Sequence, residues 1–169
     1  RLRVDRVLHA GDLVGLCPWP DETVELLTGS GVRGVRGNHE DALLAGAESP
    51  GDRDEDPLLL PALEQAFRWT RDRAGFLTRT RLEGLPFSLE LEAEGRGLSL
   101  FHASPVDVFQ PLGEELPEDS LDALLQESPA EIYLFGHLHR GYHRVHDTAH
   151  LICAPSVGRP RDGDPRTGF

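Results

Sequence analysis

The sequence predicts an α/β fold, and two observations support this class. First, short apolar runs typical of buried strands alternate with segments of helical apolar spacing, which is the pattern of β-α-β units. Second, four apolar runs end in polar residues able to bind a metal ion. Because α/β proteins place their sites at the carboxyl ends of strands, the same four positions predict where a functional site lies.

The amino-terminal part of the chain is predicted to form one parallel β-α-β unit. Its elements are a strand over residues 4–10, a helix over residues 21–27 and a strand over residues 32–35. Asp21 is a candidate N-cap, because an aspartate side chain can accept the first unpaired N–H groups of a helix. The strands stop at Gly11-Asp12 and at Gly37-Asn38-His39-Glu40.

The middle of the chain is predicted to be a helical insert over residues 45–85. It begins with an acidic, Gly- and Pro-rich stretch over residues 45–56, which we expect to be a flexible surface loop. Helices are predicted over residues 58–73 and 75–85. The sequence leaves two roles open for this insert, which are a lid over the site and an ordinary connecting pair of helices.

The carboxyl-terminal part is predicted to be mostly strands. The expected elements are strands over residues 87–91 and 98–101 joined by a hairpin turn, a helix over 119–126, a strand over 132–135, and a hairpin of strands over 142–145 and 149–153. His102 follows one of these strands, and Gly136-His137-Leu138-His139 follows another. We therefore expect these histidines at strand ends.

Composition excludes some functions. The 169 residues include 29 Asp and Glu against 17 Lys and Arg, for a net charge of −12, which opposes strong nucleic-acid binding. A small phosphorylated substrate remains compatible, because bound metal ions supply local positive charge.

The cysteines and the apolar runs indicate the compartment. Cys17 and Cys153 lie far apart in the sequence, which suits packed thiols in a reducing compartment. With no apolar run near the roughly 18 residues of a membrane helix, we expect a cytoplasmic protein that does not span a membrane, and self-association stays open.

The residues at the strand ends predict a metal centre. Carboxylate, amide and imidazole ligands suit manganese, iron, zinc or nickel. The candidate ligands are Asp12, Asn38, His102, His137 and His139. Five ligands exceed what one zinc ion takes, so the set predicts two divalent cations with Asp12 as the bridging acid.

Two cations about 3.5–4 Å apart hold a hydroxide at neutral pH and neutralise phosphoryl oxygens, which favours displacement at phosphorus. The leaving oxygen then needs an acid, and His39, next to the ligand Asn38, is the candidate. Glu40 is a candidate for orienting His39.

Other polar and aromatic residues have weaker predictions. Arg159 and Arg161 are candidates for binding a substrate phosphate, or for pairing with Asp162 and Asp164 to rigidify their loop. Trp69 is a candidate substrate contact, although a core position is the more common role for a tryptophan. We expect His9 to be packed within its strand or to support a ligand, and His143, His146 and His150 to be structural or solvated.

Four motifs in this order resemble the calcineurin-like metallophosphoesterases, most of all the small bacterial and archaeal phosphodiesterases. The motifs are Gly11-Asp12-Leu13-Val14-Gly15, Gly37-Asn38-His39-Glu40, His102-Ala103-Ser104 and Gly136-His137-Leu138-His139. The resemblance implies two packed β-sheets flanked by helices. It also implies that Asp12 bridges two metals, that Asn38, His102 and His137 complete one metal's shell, that His139 binds the other, and that His39 protonates the leaving group.

The chain departs from this family at one point. The family begins with an Asp-x-His motif on a first strand, and no such motif occurs among the 11 residues before Asp12. We therefore expect a single domain over residues 1–169, truncated at both ends, without the first strand-helix unit and the last strands. A complete first motif elsewhere in the protein implies a two-metal enzyme, whereas its absence leaves one site with Asp12 and His139 alone.

These observations predict a hydrolase of phosphoric esters that cleaves a phosphodiester or a small phosphorylated metabolite. Manganese is the first candidate metal, with iron, zinc, nickel and magnesium as others. The alternative is a scaffold of the same fold with a degraded metal site, like the retromer subunit in this superfamily. A scaffold has no need of an acid such as His39.

Overall fold

The computed structural model describes residues 4–52, 57–164, 166 and 168. The contacts of the chain divide it into two compact units, Arg1–Leu85 and Pro86–Phe169. No helix in the described part of the chain is both long and apolar enough to cross a membrane.

The first unit begins with the predicted β-α-β motif. Its elements are β1 (Leu8–His9), α1 (Pro20–Gly29) and β2 (Arg33–Gly34). The two strands pair in parallel, which confirms the predicted topology, although both are shorter than predicted. The predicted N-cap is wrong, because α1 begins at Pro20, a residue without an N–H that suits the first helical position. The Asp21 carboxylate instead accepts the backbone N–H of Gly75 at 2.9 Å.

Three more helices complete this unit. They are α2 (Asn38–Leu44), α3 (Leu60–Arg73) and α4 (Phe76–Glu83). The last two confirm the predicted helical pair, whereas α2 was not predicted. Its start coincides with the stretch that we assigned only as a strand end, and Glu40 accepts the N–H of Gly37 as in a capping box. The core consists of Val14, Val24, Leu43, Phe67, Ala74 and Leu82.

The second unit is built on one five-stranded sheet. Its elements are β3 (Ser88–Ala93), β4 (Arg96–Phe101), α5 (Glu118–Leu125), β5 (Ile132–Phe135), β6 (Tyr142–His146) and β7 (Ala149–Cys153). The strand order is β3-β4-β5-β7-β6, with the two outer strands antiparallel to their neighbours. These elements confirm both predicted hairpins and the central strand. Leu121 on α5 packs with Phe101 and Phe135 of the sheet.

The α/β class is thereby confirmed, with a two-stranded sheet, a five-stranded sheet and five helices in the described part of the chain. Because β4, β5 and β7 run in parallel, their carboxyl ends lie at one edge of the larger sheet. His102 directly follows β4, and His137 comes two residues after the end of β5. The sheet therefore brings two candidate ligands to one edge.

Candidate metal centre

Each unit carries some of the predicted ligands, and Asp12 lies in the first unit on the loop after β1. Its backbone is left-handed, with φ of 54°. The Asp12 Oδ1 atom accepts the backbone N–H of His39 at 3.1 Å, in the first turn of α2. Gly11 is required beside it, because a Cβ there would lie 2.6 Å from the backbone nitrogen of Gly37. His9 supports the same loop: burial lowers its pKa to about 4, and its neutral Nδ1 accepts the N–H of Gly11.

Glu40 clamps the Asp12 loop to α2. Its fully buried carboxylate accepts four backbone N–H groups at 2.7–3.2 Å, those of Asp12, Leu13, Val14 and Gly37. Burial and the nearby Asp12 charge raise the pKa of Glu40, while the backbone donors act against that rise. These hydrogen bonds show that Glu40 positions the loop backbone, and this is a correction to the expectation that it orients the His39 ring.

Asn38 presents a fixed amide. Its buried Nδ2 donates to the carbonyl of Pro50 and to Asp52 Oδ1, both at 3.0 Å. With both hydrogens used in this way, the amide cannot flip without losing the two bonds. The Oδ1 atom is thereby assigned as the acceptor that a hard or borderline cation would take.

His39 is a buried imidazole between two carboxylates. Its side chain is 2% exposed, and Nε2 lies 3.0 Å from Asp52 Oδ2 and 3.9 Å from Asp12 Oδ2. Burial lowers the pKa of His39, but the charges of Asp12 and Asp52 outweigh it and raise the pKa to about 9. The ring also meets Phe67 edge-on, with centroids 5.8 Å apart. In the metal-free chain this pKa favours the protonated imidazole at neutral pH, which is the form that can act as a general acid.

Asp52 is a residue of the site that the sequence analysis missed. We placed it in a flexible surface loop over residues 45–56, of which 53–56 lie outside the described residues. Within the described part, Pro50 is buried and the Asp52 side chain is 17% exposed with its carboxylate on α2. The prediction of an exposed surface loop is therefore wrong for Pro50 and Asp52, whereas Glu48 in the same loop is exposed. No local sequence pattern marks Asp52 as the partner of Asn38, which lies 14 positions earlier.

Gly15 gives a direct test of the packing around His39. Its φ is 122°, and a Cβ there would lie 2.0 Å from His39 Nδ1. We expect Gly15→Ala to displace the ring and to destabilise the fold by about 1–3 kcal/mol, measured by chemical unfolding. Gly29→Ala is the matched control, since it ends a helix and a methyl group added there would meet nothing within 4 Å beyond its own helix and chain neighbours. Equal stability of the two variants would contradict the predicted contact.

In the second unit, His102 and His137 form an imidazole pair. His102 Nε2 lies 3.1 Å from His137 Nδ1, and the ring centroids are 5.0 Å apart. His102 is 2% exposed, and His137 has a left-handed backbone with φ of 64°. Two nitrogen atoms this close, one from each strand end, are suited to bind a common cation.

His139 is held by the loop that follows β7. Its Nδ1 lies 2.9 Å from the carbonyl oxygen of Arg159, and its own carbonyl accepts the N–H of Arg161 at 2.8 Å. An Nδ1–H that donates to a carbonyl leaves the lone pair on Nε2, which is the usual arrangement behind a metal-binding histidine.

The backbones of Arg159 and Arg161 thus fix His139, while phosphate binding by their guanidinium groups stays a prediction. The Asp164 carboxylate pairs with Arg166, at 2.9 Å from Nε. Trp69 is 40% exposed and stacks with the Arg73 guanidinium, 4.4 Å from the ring centroid. It is therefore no core residue, and substrate contact by Trp69 stays a prediction.

Left-handed backbone conformations coincide with the predicted ligands. Among the described non-glycine residues, positive φ occurs at Asp12, His137 and His139 and at two hairpin-turn residues, Glu94 and Asp147. Such backbones cost free energy and cluster at functional sites. The chemistry of these carboxylate, amide-oxygen and imidazole donors suits a divalent cation.

A second cluster surrounds His146 in the second unit. Its Nε2 lies 2.6 Å from Asp122 Oδ1, and its Nδ1 contacts Glu118, which also pairs with Arg144. The imidazole thereby links β6 to α5, so the structural role expected for His146 agrees with its contacts. The hydrogen bond to Asp122 and the charge of Glu118 raise the pKa of His146.

The link that His146 makes between β6 and α5 predicts that the stability of the fold depends on pH. A raised histidine pKa stabilises the fold fully below the unfolded value of about 6.5, and the contribution is lost as pH rises through the folded value. We expect an NMR titration to give a pKa for His146 above the ordinary histidine value and Asp122→Asn to lower it. A His146 pKa unchanged by Asp122→Asn would contradict this assignment.

Comparison with known families decides the classification. The sequence model described as the calcineurin-like phosphoesterase superfamily domain matches residues 1–169. The chain belongs to this superfamily. A search of curated protein sequences found no match. The family assignment confirms the resemblance that the four motifs indicated.

Solved structures show the same fold for this phosphoesterase-superfamily chain. A hypothetical protein from Pyrococcus horikoshii is 21% identical with a TM-score of 0.73, over 94% of this chain and 66% of that one. A metallophosphoesterase from Sphaerobacter thermophilus is 24% identical with a TM-score of 0.72, over 98% and 71%. Vps29 from Entamoeba histolytica, complexed with zinc, is 17% identical with a TM-score of 0.52, over 97% and 65%. The chain thus spans about two thirds of the length of these proteins.

Proposed function

We propose that this protein is a metal-dependent phosphoesterase that hydrolyses a phosphodiester or a small phosphorylated metabolite. The observation that carries the proposal is His39, a buried imidazole whose Nε2 lies 3.0 Å from Asp52 and 3.9 Å from Asp12, next to the fixed amide of Asn38. Membership of the calcineurin-like phosphoesterase superfamily supports it. A protonated, buried histidine beside candidate metal ligands has a use in ester cleavage, where a leaving oxygen needs a proton.

The proposed cofactor is a pair of divalent cations, with manganese the first candidate and iron, zinc, nickel or magnesium the others. The proposed ligands are Asp12, Asn38, His102, His137 and His139. When bound, the cations supply positive charge that neutralises phosphoryl oxygens and lowers the pKa of water. Asp12 is the proposed bridging ligand, since a carboxylate can serve two cations.

The residues of the chain then have separate tasks. Asn38 offers Oδ1 because its Nδ2 is tied to Pro50 and Asp52. His39 would donate its Nε2 proton to the leaving oxygen, and the Nε2–H would exchange its 3.0 Å contact with Asp52 for one with that oxygen. His139 offers Nε2 because its Nδ1 donates to a backbone carbonyl. Arg159, Arg161 and Trp69 are proposed substrate contacts.

The test is metal content measured together with turnover. The chain would be loaded with manganese, freed of excess metal, and assayed for bound metal by mass spectrometry and for hydrolysis of 4-nitrophenyl phosphodiesters. We expect two cations per chain, with weaker binding at the site whose proposed ligands are Asp12 and His139 alone. We also expect turnover that a chelator abolishes and added manganese restores. One cation per chain with turnover would contradict the binuclear part of the proposal alone.

The alternative function is a scaffold that keeps the fold without turnover. The likeness to Vps29 chains concerns the fold alone, so it leaves this alternative open. A scaffold would show no hydrolysis with any metal and no loss of folding on chelation. The proposed setting is cytoplasmic, without membrane binding. Weak or absent nucleic-acid binding is also proposed, in keeping with the net charge of −12.

A further inference from the structure

We propose that Asp52 is a positioning residue that sets the acid His39 and the ligand Asn38 with one carboxylate. This inference rests on the proposed phosphoesterase function. Asp52 lies outside the four sequence motifs, and its role follows from two hydrogen bonds of 3.0 Å to neighbouring residues in the first turn of α2.

The two carboxylate oxygens of Asp52 contact different residues. Oδ1 accepts the Asn38 Nδ2–H, and Oδ2 faces His39 Nε2. Asn38 is fully buried and His39 is 2% exposed, so the solvent cannot replace these contacts easily. A carboxylate can accept at both oxygens, whereas an amide accepts at one oxygen and donates at the other position.

On the Asn38 side, Asp52 determines which amide atom serves as a ligand. Rotating the amide by 180° would place Oδ1 against Asp52 Oδ1 and the Pro50 carbonyl, three acceptors without a hydrogen between them. Asp52 therefore holds Nδ2 on its own side and assigns Oδ1 to the cation. Outer partners that orient ligands in this way typically contribute a factor of about 10–100 in metal affinity or activity.

On the His39 side, Asp52 contacts one edge of the imidazole ring, at Nε2. The opposite edge, at Nδ1, packs against Gly15, where even a methyl group would lie 2.0 Å away. Nε2 is 3.0 Å from Asp52 and 3.9 Å from Asp12, so Asp52 makes the closer contact. The ring is thereby held with Nε2 directed to the carboxylates, and this nitrogen is the one assigned to proton donation.

Two substitutions separate these tasks. In Asp52→Asn, the new amide oxygen can still accept the Asn38 Nδ2–H, but an NH₂ group then faces His39 Nε2 where a carboxylate oxygen stood. In Asp52→Ala both contacts are lost. The matched control is Glu48→Gln, which removes a charge from the same acidic segment, where Glu48 is exposed and pairs with Arg71.

The readouts are manganese affinity, by competition with a chelator, and the dependence of kcat on the leaving group, by comparison of 4-nitrophenyl and phenyl phosphodiesters. We expect Asp52→Asn to keep metal affinity within about threefold and to lower kcat by about 10–100-fold for the phenyl ester. The loss should be smaller for the 4-nitrophenyl ester, because a good leaving group needs less protonation. Asp52→Ala should also weaken manganese binding by about 10–100-fold.

Three outcomes would overturn the proposal. They are an equal loss of kcat for both esters in Asp52→Asn, manganese affinity unchanged in Asp52→Ala, and effects of Glu48→Gln as large as those at Asp52. If the unsubstituted chain hydrolyses neither ester, the phosphoesterase proposal fails by itself. The manganese affinities of Asp52→Ala and Glu48→Gln then still decide whether Asp52 positions Asn38, and NMR of the His39 ring decides whether it positions His39.

Discussion

His39→Ala is expected to lower turnover by about 10²–10⁴-fold while leaving the metal content of the chain nearly unchanged. The reason is that His39, whose Nε2 lies near Asp12 and Asp52, is the proposed proton donor but is proposed to bind no metal itself. The measurement is kcat on an aryl phosphodiester together with bound manganese per chain. The effect should grow with a poorer leaving group, since the lost group is the acid.

The control for this variant is His143→Ala, which removes an exposed imidazole on the β6–β7 hairpin that stacks with His150. It should leave both turnover and metal content within about twofold, as expected for a surface substitution away from the site. A collapse of metal content in His39→Ala would instead make His39 a ligand or a structural residue, and the acid would have to be another group.

Glu40→Gln is expected to cause the largest loss of stability, about 3 kcal/mol or more. The buried carboxylate accepts four backbone N–H groups, and a glutamine would turn one acceptor oxygen into an NH₂ group facing those donors. Buried N–H groups left without an acceptor carry the full cost of their desolvation. Urea unfolding of the metal-free chain measures the loss directly, without a contribution from bound cations.

Glu25→Gln provides the comparison, because this glutamate lies on the exposed side of α1. Its stability should stay within about 0.5 kcal/mol of the unsubstituted chain. If both variants unfold at the same urea concentration, Glu40 does not stabilise the Asp12 loop, and the loop conformation must come from Gly11 and β1.

Local sequence patterns were sufficient for most of the secondary structure. Alternating apolar residues in β3, the apolar run of β5 and the helical spacing of α3 are each decided by neighbours within a few positions. The Glu94-Gly95 turn is likewise local, with both residues at positive φ. The start of α2 was missed because residues 37–40 were interpreted only as polar residues after a strand, whereas β2 ends at Gly34 and Gly37 precedes the helix.

The site was predictable only in part, because some of its contacts join distant residues. Glu40 accepts N–H groups from residues 26–28 positions earlier, and Asp52 meets Asn38 across 14 positions. Neither contact produces a periodic residue pattern in the sequence. The ligands could therefore be predicted from residue type and strand position, whereas the residues that orient them could be identified only from the structure.

The left-handed backbone at Asp12, His137 and His139 lowers the stability of the fold, while the side chains of these residues are proposed metal ligands. At each position glycine would remove about 1 kcal/mol of unfavourable backbone conformational free energy, and it would also remove a proposed metal-binding atom. A search for more heat-resistant variants that scored folding alone would thus enrich replacements at these three positions. Thermostability engineering of this chain should hold these residues constant and look for gains elsewhere, such as on the exposed side of α1.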